Sequence, residues 1–222
     1  MYKFNLFLKR AFDIFSSGFL ALLLTPLWIV VAICIKKDSK GPIFFRQGRR
    51  TKNGRIFKML KFRSMVVNAE KMGAGLFNYE NDPRVTKVGR FLRNSSIDEL
   101  PQLFNILKGD MSVVGPRPLA TVYLNYYTKR EHRRHCVRPG LTGWAQVNGR
   151  NSLQWEQKFA YDLEYIDNIS LLFDIKIILL TVKKVFIREG IGQAEEAPES
   201  LHILRADWVD KNGCLKPEYE EE

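Results

Sequence analysis

The chain has 222 residues, 45% of them hydrophobic, which is enough to bury one substantial core and makes a single domain the default. A formal charge of +11 favours anionic partners: nucleic acid, acidic lipid headgroups or phosphorylated small molecules. Cys34, Cys136 and Cys214 stand far apart and in odd number, which argues against the disulfide framework of a small secreted protein and for a reduced compartment.

Residues 14–35 read IFSSGFLALLLTPLWIVVAICI, an uncharged run of 22 residues that is long enough for a transmembrane helix. Asp13 precedes it and no small-residue cleavage motif follows, so it does not read as a cleavable signal peptide. Both flanks are basic, with Lys3, Lys9 and Arg10 before the run and Lys36, Lys37, Lys40, Arg46, Arg49 and Arg50 after it. A single crossing satisfies the positive-inside preference on only one flank. Thr25-Pro26 near the middle predicts a kink, because proline removes a helical hydrogen bond and clashes with the preceding turn. The halves 14–24 and 27–35 would each reach roughly 15 Å, about half of a hydrocarbon core. A helix that enters, bends and returns to the same face fits all three observations. A kinked single-pass helix is the plainer alternative.

The next segment, 41–69, carries eight basic residues (Arg46, Arg49, Arg50, Lys52, Arg55, Lys58, Lys61, Arg63) and no acidic one, with Phe57 and Phe62 interleaved. No helix-turn-helix, zinc or RNA-recognition pattern accompanies them, so nucleic acid is not the expected partner. Beside a membrane segment they read as contacts to anionic headgroups, some of them lining a phosphate site.

Residues 95–110, SSIDELPQLFNILKGD, predict a helix with Leu100, Leu103, Phe104 and Leu107 on one face and Gly109 as its stop. Asp98 and Glu99 stand at its start. The residues alone favour a capping box, Ser96-x-x-Glu99, at a helix terminus that prefers acids anyway. The functional alternative is an ionised nucleophile beside a carboxylate that holds Mg²⁺, with Arg90 and Arg93 upstream to neutralise a diphosphate. Two Gly-Pro corners follow, VGPRPL at 114–119 and VRPGLTGWAQVNGR at 137–150. Pro116 and Pro118 hold Arg117 on a stiff backbone, suited to bidentate phosphate recognition. Gly140, Gly143 and Gly149 permit tight turns, Trp144 offers a flat face, and Arg138 and Arg150 sit on constrained loops. Between the corners His132, His135 and Cys136 lie close together, but no second cluster completes a zinc site. Residues 166–187 are apolar but interrupted by Asp174, Lys176, Lys183 and Lys184, as in a buried or interfacial amphipathic helix. After Gly190 the chain turns polar and ends in an acidic segment that reads as a solvated tail.

The Pro-centred apolar run, KFRSM at 61–65, SSIDELPQLFNILKGDMSVVGPRPL and VRPGLTGWAQVNGR together resemble the bacterial sugar transferase family. The likeness is to its small monotopic phosphoglycosyl transferases and runs from about Lys9 to Gly190. It implies a re-entrant membrane helix with both ends cytoplasmic, on the bacterial inner membrane, and this chain resembles the minimal catalytic form. It further implies a two-step transfer in which Asp98 is the nucleophile and Glu99 the carboxylate linked to Mg²⁺. The donor is a UDP-sugar and the acceptor polyprenyl phosphate. Arg93, Arg117 and Arg150 match positions associated with phosphate handling. Lys61, Arg63 and Arg138 are candidate further contacts to substrate or lipid. Thr25-Pro26 stands where the family often has Ser-Pro, and threonine makes the same back-bond to a carbonyl.

The expected architecture is therefore α+β and mostly helical. It comprises a re-entrant helix with its flanks (1–40), a cytoplasmic catalytic domain with interfacial helices (41–190) and a polar, acidic extension (191–222). Membrane lipids are expected partners, and a homo-oligomer is open. The alternative from another class is a non-catalytic, membrane-anchored basic module binding acidic lipid or nucleic acid.

Overall fold

The computed structural model describes residues 2–72, 82–149, 152–187, 200–210 and 214–219. Helices α1 (Tyr2–Leu23) and α2 (Thr25–Asp38) follow one another across a 61° bend at Leu24. Pro26 falls in the first turn of α2, where no helical partner awaits its missing N–H. Thr25 Oγ1 donates to Ala21 O at 3.2 Å, the back-bond expected of it. Among the described residues no single helix is long and apolar enough to cross a membrane; α1 and α2 reach that length and apolarity only when taken together across their bend.

The first arm is longer than residues 14–24. It takes in Lys9, Arg10 and Asp13 because the body supplies a partner for each. Lys9 Nζ donates to Asp174 Oδ2 at 2.6 Å and to Val114 O at 2.8 Å. Arg10 donates to Ile106 O and Leu107 O. Asp13 Oδ1 accepts from Ser112 Oγ and from Val113 N. Lys9, Asp13 and Ser17, spaced by four residues, make a buried polar stripe on α1. The opposite face exposes Phe4, Phe7, Phe15, Phe19, Leu22 and Leu23. This is the reverse of a water-soluble helix, whose apolar stripe faces the core.

Strands β1 (Phe44–Arg50) and β2 (Ile56–Phe62) pair antiparallel with Phe45 opposite Lys61 and Gln47 opposite Met59. Helix α3 (Lys87–Asn94) is capped by Thr86, and α4 (Gln102–Lys108) is shorter than the helix expected over 95–110. Pro101 has no N–H to continue a ladder backwards, so Asp98 and Glu99 occupy a separate 3₁₀ turn, Ile97–Glu99. Ser96 lies in the left-handed region (φ 56°) and makes no side-chain cap, so the capping box is not formed. The buried face of α4 is Gln102, Leu103, Asn105 and Ile106, while Phe104 is exposed and meets Trp28 edge-on. Asn105 bonds Leu60 N and Lys58 O through its amide, stitching α4 to the edge of β2. Gly109 ends the helix in the left-handed conformation, as expected.

Strands β3 (Ser112–Val114) and β4 (Gly140–Thr142) pair parallel and bring the two Gly-Pro corners together. Gly140 and Gly143 serve close approach rather than a turn. A Cβ at Gly140 would stand 2.1 Å from Gly115 N, and one at Gly143 2.2 Å from Gly115 O. Four helices complete the body, α5 (Lys129–His132), α6 (Trp144–Val147), α7 (Trp155–Asp167) and α8 (Leu171–Phe186). The main core joins β3, α7 and α8 through Val114, Leu163, Tyr165 and Ile177. Helix α8 buries Asp174 and Ile177 and exposes Leu172, Ile175, Leu179 and Val182, so its outer face is apolar too. A short α9 (Leu201–Leu204) docks part of the C-terminal segment on the body. There Leu201 is wholly buried and Arg205 pairs with Glu131. The fold is mostly helical α+β, as the sequence led one to expect.

Candidate active site

A cleft of about 370 Å³ opens where the 3₁₀ turn meets the β1–β2 hairpin and the 117–118 corner; Arg49, Lys61, Arg93, Asp98 and Arg117 line it. Glu99 closes it from behind. Its Oε1 accepts from Lys61 Nζ at 2.7 Å and from Arg117 Nη2 at 2.8 Å, and Oε2 has only a 3.5 Å contact with Arg117 Nη1. Burial pushes the Glu99 carboxyl up, but Arg117 and Lys61 together outweigh that and hold it well below the usual range.

Asp98 is set differently. Only 8% exposed, it makes no hydrogen bond or ion pair among the described residues. Burial raises its pKa, opposed by Lys61 and reinforced by the Glu99 charge, with Arg93 and Arg117 also opposing. Asp98 sits on a single 3₁₀ turn rather than at the start of the helix expected over 95–110. The adjacent carboxylates thus differ in kind: one is locked between cations, the other is unpartnered, more basic and open to the cleft.

Arg117 is presented by its neighbours. Pro116 O accepts from Gly140 N at 3.0 Å, and Arg117 O accepts from Arg134 Nη2 at 2.8 Å. Arg134 is itself buried against Asp162 of α7 at 2.7 Å, so the α7 core fixes the corner from which Arg117 reaches Glu99. Arg93 reaches the cleft from α3, with Nε bound to Ser64 Oγ at 2.8 Å.

Of the predicted site residues, Lys61, Arg93, Asp98, Glu99 and Arg117 come together. Arg63 borders the cleft, but its guanidinium donates to Ser39 O and Lys40 O at the end of α2. Arg138 is remote from the pair, donating to Gly109 O at the far end of α4. Arg90 is exposed and outside the lining. Trp144 turns its ring onto Tyr161 and Phe173 rather than toward the cleft. Arg150 lies outside the described residues. Ser64 was missed, and Arg49 stood only as one of eight basic residues of which some were expected to line a phosphate site. The signal for Arg49 was strand alternation, which puts Phe45, Gln47 and Arg49 on one face of β1 and separates Arg49 from its neighbours in the basic run.

Residues 4–188 match the bacterial sugar transferase family. The chain belongs to that family. It is 49% identical over 187 residues to an uncharacterised sugar transferase, EpsL, of Bacillus subtilis strain 168, covering 84% of this chain and 91% of that one. It is 45% identical over 195 residues to the UDP-glucose:undecaprenyl-phosphate glucose-1-phosphate transferase of Escherichia coli K12, covering 84% of this chain and 42% of that one. With the undecaprenyl-phosphate galactose phosphotransferase of Salmonella typhimurium it shares 40% identity over 198 residues, covering 83% and 41%. The chain therefore spans less than half the length of these two relatives named for a lipid acceptor.

Proposed function

We propose that this transferase moves a sugar 1-phosphate from a UDP-sugar to undecaprenyl phosphate in two steps through Asp98. The observation that carries the reading is the unpartnered Asp98 carboxylate in a cation-lined cleft beside a Glu99 already neutralised by Lys61 and Arg117. In the first step a carboxylate oxygen of Asp98 attacks the phosphorus bearing the sugar, and the bond to the bridging oxygen breaks. UMP leaves with that electron pair, and a phosphosugar remains on Asp98. In the second, an oxygen of the lipid phosphate attacks the same phosphorus and the carboxylate departs. The products are lipid diphosphosugar and free Asp98. Arg117 and Arg93 bind the phosphate oxygens, and Lys61 and Arg117 keep Glu99 ionised and in place.

The site fits a magnesium ion by its donor set. Mg²⁺ takes oxygen ligands from one or two carboxylates and completes its shell with water and substrate phosphates. Glu99 Oε2, with only one long contact, is the oxygen available, and Asp98 is adjacent. When bound, the ion would neutralise charge on the diphosphate.

The reading also takes the α1–α2 pair as re-entrant and seated in the bacterial inner membrane, with the body on its cytoplasmic face. The support is the inverted polarity of α1 and the apolar outer face of α8, whose Lys176 and Lys183 can snorkel to headgroups.

The test is incubation of detergent-purified protein with UDP-sugars and Mg²⁺ and no lipid acceptor. UMP should form stoichiometrically with enzyme, and peptide mapping should find a phosphosugar on Asp98 that Asp98→Asn lacks. UMP formed only when both substrates are present, with no adduct under rapid quench, would mean direct transfer and sink the two-step reading.

A further inference from the structure

We infer that Arg49, held by Gln47, forms a second phosphate-binding subsite in the cleft, distinct from the Arg117–Lys61–Glu99 lock; this rests on the transfer reaction proposed above. The argument begins with strand register. Phe45, Gln47 and Arg49 share the inward face of β1, and the cross-strand partner of Phe45 is Lys61, the residue that reaches Glu99. The Arg49 backbone is further pinned by an antiparallel bridge to Ala120, three residues beyond Arg117. Arg49 is thereby committed to the cleft that Asp98 and Arg117 line.

Its partners are informative. Nε and Nη2 both donate to Gln47 Oε1, at 3.2 and 2.6 Å, and among the described residues no carboxylate pairs with it. Lys61 and Arg117 each pair with Glu99, whereas Arg49 has only the neutral amide. A neutral amide fixes the direction of the guanidinium without spending its charge, the arrangement of a group kept for an anion. Burial and the neighbouring Arg117 lower its pKa to about 10, so it remains a cation at neutral pH, and an anion between the two would relieve their repulsion. Arg93 enters the cleft from α3, whereas Arg49 enters it from β1. Two arginines on different walls of one cleft suit a substrate set with more than one phosphate. The ligand is a phosphate ester, which either the donor diphosphate or the lipid phosphate supplies.

Gln47→Glu is the decisive variant. It keeps the acceptor for Arg49 but adds a counter-ion. If the pair merely braces the strand, stability stays equal or rises and kinetics are unchanged. If Arg49 binds phosphate, KM should rise about tenfold or more for one substrate, and the effect should largely vanish in an Arg49→Gln background. A slower UMP burst without acceptor assigns the subsite to the donor. An intact burst with a raised KM for lipid phosphate assigns it to the acceptor. Unchanged values for both, or an equal Gln47→Glu effect with and without Arg49, would overturn the inference. Protection against thermal unfolding by inorganic pyrophosphate, wild type against Gln47→Glu, reads the subsite without turnover. If wild type releases no UMP yet pyrophosphate protects it more than the variant, the reaction reading falls and the subsite stands. Equal protection overturns the subsite.

Discussion

Glu99→Gln tests whether Glu99 is the lock that positions the cations of the cleft. The substitution preserves shape but removes the charge that Lys61 and Arg117 share on Oε1 at 2.7 and 2.8 Å. Breaking a buried ion pair by removing one partner costs about 3–5 kcal/mol, because the other charge is stranded. Here the stranded cations are 20% and 37% exposed, so water screens them and the cost falls to roughly 1–3 kcal/mol. For a chain of this size that is a fall in Tm of roughly 3–10 °C. Thermal unfolding in detergent, followed by tryptophan fluorescence, measures it. Pyrophosphate should restore more stability to the variant than it adds to wild type, since the anion takes the place of the missing carboxylate. The sign of the pH dependence follows from the depressed folded pKa. The gap between wild type and variant is fully present above the ordinary glutamate value of 4.5 and shrinks as pH falls below it toward the folded value. A variant with wild-type Tm, and equal gains from pyrophosphate in both proteins, would refute the lock.

The raised pKa of Asp98 predicts an acid limb in kcat/KM with its midpoint above the ordinary 3.8. Ionised Asp98 costs stability above its folded pKa and that cost is relieved as pH falls, so the limb should appear while fluorescence still reports folded protein. Arg117→Lys keeps the charge but loses the fork, and turnover should drop at least tenfold with little change in Tm; wild-type kinetics would remove Arg117 from phosphate binding. Lys9→Met strands the buried Asp174 and should cost about 3–5 kcal/mol, whereas adding Asp174→Asn should recover part of it; simple additivity in that cycle would rule out the contact. Replacing Thr25 and Pro26 by Leu restores an unbroken helix, so a cysteine placed near residue 3, with the three exposed native cysteines replaced, should become accessible from the periplasm. Protection equal to that of the unmodified α1–α2 pair would show that the proline does not set the topology.

Local signals were legible where chain neighbours decide the outcome. Pro26 within an uncharged run, Gly109 after an apolar face and the interruption of 166–187 by lysines all produced the elements expected of them. The capping box failed for a local reason as well: Pro101 breaks the ladder two residues after Glu99, and its presence in the sequence was the clue. What the sequence hid was long-range. The polar stripe of α1 finds its partners 99 to 165 residues away, so Lys9 counted as a flanking charge when it is in fact buried. Arg63, in the basic run, and Arg138, on a constrained loop, were candidate contacts to substrate or lipid, but here carbonyls at helix C-termini take their guanidinium groups. Arg49 was concealed by its basic neighbours until the strand register divided them.

Helices α1 and α2 pack with the site as one unit. The hinge packs Leu24 and Trp28 against Phe57, Met59, Leu103 and Ile106, between the hairpin that carries Lys61 and the helix that follows Glu99. Arg10 of α1 caps the end of that same helix, and Arg63, two residues beyond Lys61, caps the end of α2. Helices α1 and α2 thus contact elements on both sides of the Lys61–Glu99 pair. Such packing suits a reaction whose substrates differ in habitat. On the proposed reaction a sugar nucleotide would arrive from water and a lipid phosphate would be confined to a plane, so Asp98 would need a fixed height relative to that plane. The cleft wall nearest the exit of α2 is made by Pro42, Phe44, Val66 and Val67, an apolar rim beside the charged floor of Arg49, Lys61 and Asp98. On the proposed reaction a phosphate carried on a hydrocarbon chain would find both kinds of surface in one cleft.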